Sequence, residues 1–234
     1  MKKLVIVVLS IFMIGLNGES EISFNAKANF HEYNVKYGKD SLMAACLAGD
    51  FETVKYLVEK GANVNVKREG TGMTPLMFSS GKGYLEIVKY LIDKGANVDA
   101  KCNNGFAVLV YALVENRLDV FRYLVDRGAD VNIKDNHEKT LLVYALVKNR
   151  PDFFRYLVDK GADVNVKGRR GCTVLMFASV LGNLEIVKYL VECGVDVSAK
   201  DEGGNTALMY ATNNNIIQFL KDHLQKLKKL KNKK

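Results

Sequence analysis

The chain is predicted to be all-α, a solenoid of about six helix–turn–helix repeats joined by short β-turn or hairpin loops. Two recurring phrases and one set of stop signals predict it. The first phrase is Gly61-Ala62-Asn63-Val64-Asn65, repeated from Gly95, Gly128, Gly161 and, as Gly-Val-Asp-Val-Ser, Gly194, at spacings of 34, 33, 33 and 33. The second is a leucine at Leu42, Leu76, Leu109, Leu142, Leu175 and Leu208, with spacings of 34 and then 33 throughout. Two independent phrases on one period mark a repeat architecture, in which each unit buries its apolar face on its neighbours. Glycines and asparagines, the residues that best end a helix in the left-handed conformation, fall at fixed places between the phrases.

The elements follow in chain order. Met1-Lys2-Lys3, the uncharged run Leu4 to Leu16, and Asn17-Gly18-Glu19-Ser20 have the basic, apolar, small order of a secretory signal peptide, so residues 1–20 are expected to be a leader cleaved near Gly18 to Ser20. The apolar run has thirteen residues, fewer than the ~20 that span a bilayer comfortably. A retained anchor or a buried N-terminal helix is the alternative. Residues 21–38 read as a linker or partial cap. The chain contains no Asn-x-Ser/Thr sequon, which fits a bacterial export route.

Repeats are expected over about 39–71, 72–104, 105–137, 138–170, 171–203 and 204–224. Asp40, Thr74, Thr140, Thr173 and Thr206 stand two residues before their leucines and are expected to cap the first helices; Ala107 leaves the third unit uncapped. Pro75 and Pro151 fall where a helix begins and a missing N–H does no harm. First helices should stop at Gly49, Gly83, Asn116, Asn149, Gly182 and Asn215, and second helices at Gly61, Gly95, Gly128, Gly161 and Gly194. The last unit is about three residues short. Leu220, Leu224, Leu227 and Leu230 then continue as one apolar stripe among lysines, the pattern of a capping helix. Residues 225–234 are set apart as a Lys-rich tail.

Thr74-Pro75-Leu76-Met77-Phe78-Ser79, followed by Gly83 and Gly95-Ala96-Asn97-Val98-Asp99, resembles the ankyrin repeat, whose phrase is T-P-L-H-x-A on a period of 33. The resemblance covers about residues 39–224. The family's histidine, which there ties neighbouring turns by hydrogen bonds, is replaced by Met43, Met77, Val110, Val143, Met176 and Met209, so that network is not expected in the same form. The tetratricopeptide array is the nearest competitor by length; the Gly-Ala-x-Val-Asn phrase and the period count against it. The resemblance implies a non-enzymatic protein–protein interaction scaffold. It also implies a partner bound on a concave face made of the inter-repeat turns and the exposed side of the first helices.

The formal charge of +8 is local. Lys221 to Lys234 holds seven lysines against Asp222, a net of +6, and Lys2 and Lys3 supply the rest, so the repeat body is close to neutral and no nucleic-acid partner is expected. Cys46, Cys102, Cys172 and Cys193 form no CxxC pair or zinc spacing and read as free or structural thiols. His31, His137 and His223 lie in different segments without a nucleophile or metal partner at characteristic spacing. Gly70-Thr71-Gly72 lacks the lysine and preceding strand of a phosphate loop. The recurring Asn and Asp side chains are expected to bond their own turn backbone and not calcium. No cofactor, metal or catalytic residue is expected.

Three ladders are left for recognition: the lysines Lys67, Lys101, Lys134, Lys167 and Lys200; the turn tips Asn103, Asn104, Asn136, His137, Arg169 and Arg170; and the aromatics Phe78, Tyr111, Tyr144, Phe177 and Tyr210. Lys101, Asn104, Tyr111, Lys134, His137, Tyr144, Lys167, Arg169, Arg170 and Phe177 are the expected partner-binding residues, with Tyr111 and Tyr144 as anchors if exposed. The competing readings are that the aromatics fill inter-repeat grooves and that the lysines are merely solvated. The protein is expected to act as a monomer, exported to the periplasm or envelope or secreted. The rival function is an envelope- or membrane-associated structural protein, with the Lys-rich tail in weak contact with anionic lipid.

Overall fold

The computed structural model describes residues 41–232; the expected leader over 1–20, the linker over 21–38 and the cap at Asp40 lie outside them. The described residues form twelve α-helices, no β-strand, and two units that divide between Asn136 and His137.

The N-terminal unit holds α1 (Ser41–Ala48), α2 (Phe51–Glu59), α3 (Pro75–Lys82), α4 (Leu85–Asp93), α5 (Val108–Val114) and α6 (Leu118–Asp126). Helix α1 packs on α3 and α3 on α5, while α2, α4 and α6 form a second row. The rows differ because their sequences differ. Helix α5 reads VLVYALV and buries every residue from Val108 to Leu113. Such all-round hydrophobicity suits a helix packed on several sides. Helix α6 is amphipathic: Val120, Phe121 and Leu124 are buried, and Asp119, Arg122 and Asp126 face water.

The C-terminal unit repeats the plan with α7 (Leu141–Val147), α8 (Pro151–Asp159), α9 (Val174–Val180), α10 (Leu184–Glu192), α11 (Ala207–Tyr210) and α12 (Asn214–Lys231), plus one 3-10 turn, Arg169–Gly171. Helix α9 packs on α7 and on α11, and α12 packs on both α10 and α11. Phe153, Phe154, Leu157, Leu175 and Leu190 are at the centre of this core.

The caps and stops follow the local chemistry. Thr74 Oγ1 accepts from the Met77 N–H at 3.4 Å, and Met77 Sδ accepts from the Thr74 N–H at 3.4 Å. Thr173 and Met176 repeat this reciprocal cap at 3.4 and 3.3 Å. A thioether thus closes the cap at the position where the family phrase has histidine. Thr140 caps α7 through the Val143 N–H at 3.5 Å, and Ala107 offers no cap, as expected. Asp50 caps α2, accepting from the Thr53 hydroxyl at 2.6 Å and the Thr53 N–H at 3.0 Å; these bonds hold its carboxyl below the usual carboxylate range. First helices end at Gly49, Gly83, Asn116, Asn149 and Gly182, and second helices just before Gly61, Gly95, Gly128, Gly161 and Gly194; all ten have positive φ.

Three expectations at the C-terminal end are corrected. Thr206 occupies its cap position without a side-chain hydrogen bond. Asn215 does not stop a helix: the three-residue shortening leaves α11 only four residues long, and Asn213 starts α12 by accepting from the Asn215 N–H at 2.8 Å. The boundary drawn after residue 224 falls inside α12, which runs unbroken to Lys231.

The single spacing of 34 also has a location. Other repeats close their turn between residues four apart, as in Cys102 N–H to Phe106 O (3.1 Å), Gly168 to Cys172 (2.9 Å) and Asp201 to Asn205 (3.0 Å). The first closes between Arg68 and Met73 at 2.8 Å, so the extra residue sits in the Glu69–Gly72 stretch.

Candidate functional site

The expected recognition ladders occupy the inter-repeat turns and the first helices, and much of each serves the framework. Lys67 Nζ donates to the Lys101 carbonyl at 3.1 Å, and Lys101 Nζ to the Lys134 carbonyl at 2.8 Å. In the C-terminal unit Lys167 Nζ donates to the Lys200 carbonyl at 3.1 Å. The lysine ladder is therefore a set of rungs between successive turns. Lys101 and Lys167 remain exposed, and an ammonium group has three donors, so each can still meet a partner; Lys134 is half-buried.

The Asn/Asp phrase forms two further sets of bonds. Within each turn Asn63, Asn97, Asp130, Asp163 and Asp196 accept from the N–H two residues on, at 2.8–2.9 Å. This is the expected backbone role. Between turns, Asn65 Oδ1 accepts from Asn97 N–H (2.7 Å), Asp99 Oδ1 from Asp130 N–H (2.9 Å), and Asn165 Oδ1 from Asp196 N–H (3.0 Å). These links join neighbouring turns without the family's histidine. Among the described residues no group of three His, Cys, Asp or Glu comes together as a metal site.

Two turn tips are also structural. Asn103 Nδ2 donates to the Gly70 carbonyl and Asn136 Nδ2 to the Asn103 carbonyl, both at 2.9 Å. Each asparagine lies over a glycine of the preceding turn, Asn103 over Gly72 and Asn136 over Gly105, where a Cβ would not fit. Asn104, His137, Arg169 and Arg170 are exposed. Arg170 is a non-glycine held at φ +59° within the 3-10 turn, beside Gly171 at φ +73°; Glu138, on the preceding turn, is held likewise at φ +60°. A side chain in this region costs about 1–2 kcal/mol, and such positions gather at functional sites.

The aromatic ladder is corrected. Tyr111 and Tyr144 are each only 2 % exposed, so neither presents a ring to a partner, and Phe177 is half-buried. The Tyr111 and Tyr210 hydroxyls reach the turn before their own helix, and buried hydroxyls require acceptors. Tyr210 donates to the Asp201 carboxylate and the Tyr111 hydroxyl is bonded to the Cys102 thiol; burial first, and these contacts second, raise both phenol pKa values. Phe177, which has no hydroxyl, stands nine residues after Gly168, a residue with no side chain to accept.

A family model for ankyrin repeats matches residues 42–135 and 165–232 in three copies, more than half of the chain. The chain belongs to the ankyrin repeat family. No curated protein matches it. The stretch between the matched segments carries α7 and α8, in the same helix order as the other ankyrin repeats of the chain. Ankyrin repeats generally mediate protein–protein interaction.

A second aromatic set was not singled out in the sequence. Tyr56, Tyr90, Tyr123, Tyr156 and Tyr189 recur once in each of the first five ankyrin repeats on the second helices, and the phrase Val-Lys-Tyr-Leu or Phe-Arg-Tyr-Leu carries them. Lys60, Lys94, Arg127 and Lys160, each four residues after its tyrosine, lie 4.9–5.7 Å from the ring centres of the first four. Phe51 meets Tyr90 edge-on at 5.6 Å, and Phe154 meets Tyr189 at 6.4 Å. The cation contacts lie within one helix and its C-cap, whereas the two ring–ring contacts join successive second helices. The four cysteines are free thiols, and burial pushes Cys46 up to about 12, which suits a packing role.

Proposed function

We propose that this ankyrin repeat protein is a non-enzymatic scaffold that binds a partner protein through its inter-repeat turn tips, and that it does so outside the cytoplasm as a monomer. The observation that carries the reading is Arg169-Arg170, two exposed cations on a turn where Arg170 is in a costly left-handed conformation. Framework residues repeat from unit to unit, whereas the exposed tips Asn104, His137 and Arg170 differ at equivalent positions. Recognition of an irregular partner requires such variation on a constant frame. Lys101 and Lys167 add charge beside the tips of their own units. Exposed pairs contribute only ~0–1 kcal/mol each, so the cations steer and orient an acidic partner more than they hold it.

A photo-crosslinking residue placed at Arg169 or Asn104 tests the reading against one at the exposed Lys55 of α2. The tip positions are expected to capture one discrete species from an envelope fraction, and Lys55 none. Capture from Lys55 alone would move the binding face to the second helices.

The export reading rests on the order of Lys2-Lys3, the apolar run and the small residues after it. Intact-mass measurement of protein recovered outside the cytoplasm should give a chain starting between Glu19 and Ser23. Retention of Met1 would contradict cleavage.

A further inference from the structure

The distal half of α12 differs from the other exposed helix surfaces of the C-terminal unit. Its proximal half is a normal cap, with Ile216 and Leu220 wholly buried. The leucine stripe then continues past the packed region: Leu224 is half-buried, Leu227 is 38 % exposed and Leu230 is 62 % exposed. Lys221, Lys226, Lys228 and Lys229 are exposed around it. The single acidic residue after Asn214 is Asp222, whose carboxylate accepts from Gln218 Nε2 at 2.9 Å. Exposed faces elsewhere in the unit mix their charges, as in Asp152, Arg155 and Asp159 of α8 or the 3.8 Å pair Lys188–Glu185 of α10.

From this we infer that residues 224–231 dock on an anionic membrane surface, with Leu227 and Leu230 in the headgroup boundary and the lysines on lipid phosphates. An apolar stripe bordered by cations is the pattern of a helix lying in the interface plane. Lysine stems cover apolar surface while their ammonium groups reach the headgroups. No helix among the described residues is long and apolar enough to cross a membrane, and residues 224–231 are far shorter than the ~20 apolar residues a span requires, so the contact proposed for them is peripheral. Nucleic acid fits less well, because phosphate contacts account for the lysines and leave the two exposed leucines without a partner. The inference does not depend on the protein partner proposed above.

The test is sedimentation of the full chain with vesicles of phosphatidylcholine, alone or with roughly one-third phosphatidylglycerol. Wild-type protein is expected to partition onto the anionic vesicles and to leave them as salt is raised. Two variants, Lys226→Gln with Lys228→Gln and Lys229→Gln, and Leu227→Ser with Leu230→Ser, should each lose at least about tenfold in partitioning. Both should keep the wild-type circular dichroism spectrum, since the altered side chains are exposed. Leu230→Ser alone serves if the double change disturbs folding. Any contribution from Leu4 to Leu16 is common to all variants. Equal partitioning of wild type and the leucine variants would overturn the inference, as would equal wild-type binding to both vesicle types. Tighter binding to duplex DNA than to anionic vesicles, insensitive to the leucine changes, would also overturn it.

Discussion

A chain ending at residue 212 is expected to lose the folded state of its last repeats at temperatures where the full chain remains intact, whereas a chain ending at residue 224 keeps it. Ile216 and Leu220 are 0 % exposed, and α12 covers both α10 and α11. Removing two wholly buried aliphatic side chains forfeits about 3–6 kcal/mol of apolar burial. It also exposes apolar surface on the repeat beneath, since the last unit of a repeat array must hide one face and wet the other. The residues after 224 contribute little to this core: Leu227 and Leu230 are open to solvent. Melting by circular dichroism and size-exclusion profiles of the two truncations separate the cases. A 212-residue chain that melts like the parent and stays monodisperse would mean that α12 is an appendage and not a cap.

Gly105→Ala is expected to cost about 2–5 kcal/mol, a large effect for one methyl group. Two causes act together. Gly105 sits at φ +80°, where a Cβ is strained. That Cβ would also lie 2.5 Å from the backbone nitrogen of Asn136 and closer still to its side-chain oxygen. Backbone cannot swing aside as a flexible side chain can, and the Asn136 bond to the Asn103 carbonyl would be disturbed with it. Gly182→Ala is the control. It has φ +72° with nothing within 4 Å of the added methyl, so it carries the conformational cost alone, about 1–2 kcal/mol. Urea unfolding of both variants gives the comparison; equal losses would remove the turn-nesting explanation.

The fold was legible because its signals are local. Thr74, Thr140 and Thr173 cap within three residues of themselves, and a glycine or asparagine stops a helix through its own φ, so spacing alone locates them. The last repeat resisted this reading: the deleted residues moved Asn215 from an apparent stop into α12, which depends on how α11 packs and not on Asn215 itself. The proposed recognition surface was only partly legible. The lysine rungs join residues 33 or 34 apart, as in Lys67 to Lys101, and a carbonyl acceptor leaves no mark in sequence. Periodic tyrosines at 111 and 144 looked like anchors because one position per repeat does not reveal which side of a short, wholly apolar helix faces inward. A buried phenol needs a partner, and the structure supplies Cys102 for Tyr111 and Asp201 for Tyr210. The second-helix tyrosines were present in a repeated phrase, and their significance emerges only with the cations and rings packed against them.

The central claim is that the repeat frame is structural and that its irregular turn tips bind. Arg170→Gly tests it most directly, because the two halves of the claim move in opposite directions. Glycine relieves the cost of φ +59° and should raise stability by up to ~1 kcal/mol, the opposite of what loss of a framework contact would do. The same change should slow association with the crosslinked partner at low salt and weaken binding about tenfold, as expected for an exposed recognition residue. Higher stability with weaker binding is the predicted result. Lower stability with unchanged binding would contradict the account, by making Arg170 part of the frame and placing the partner elsewhere.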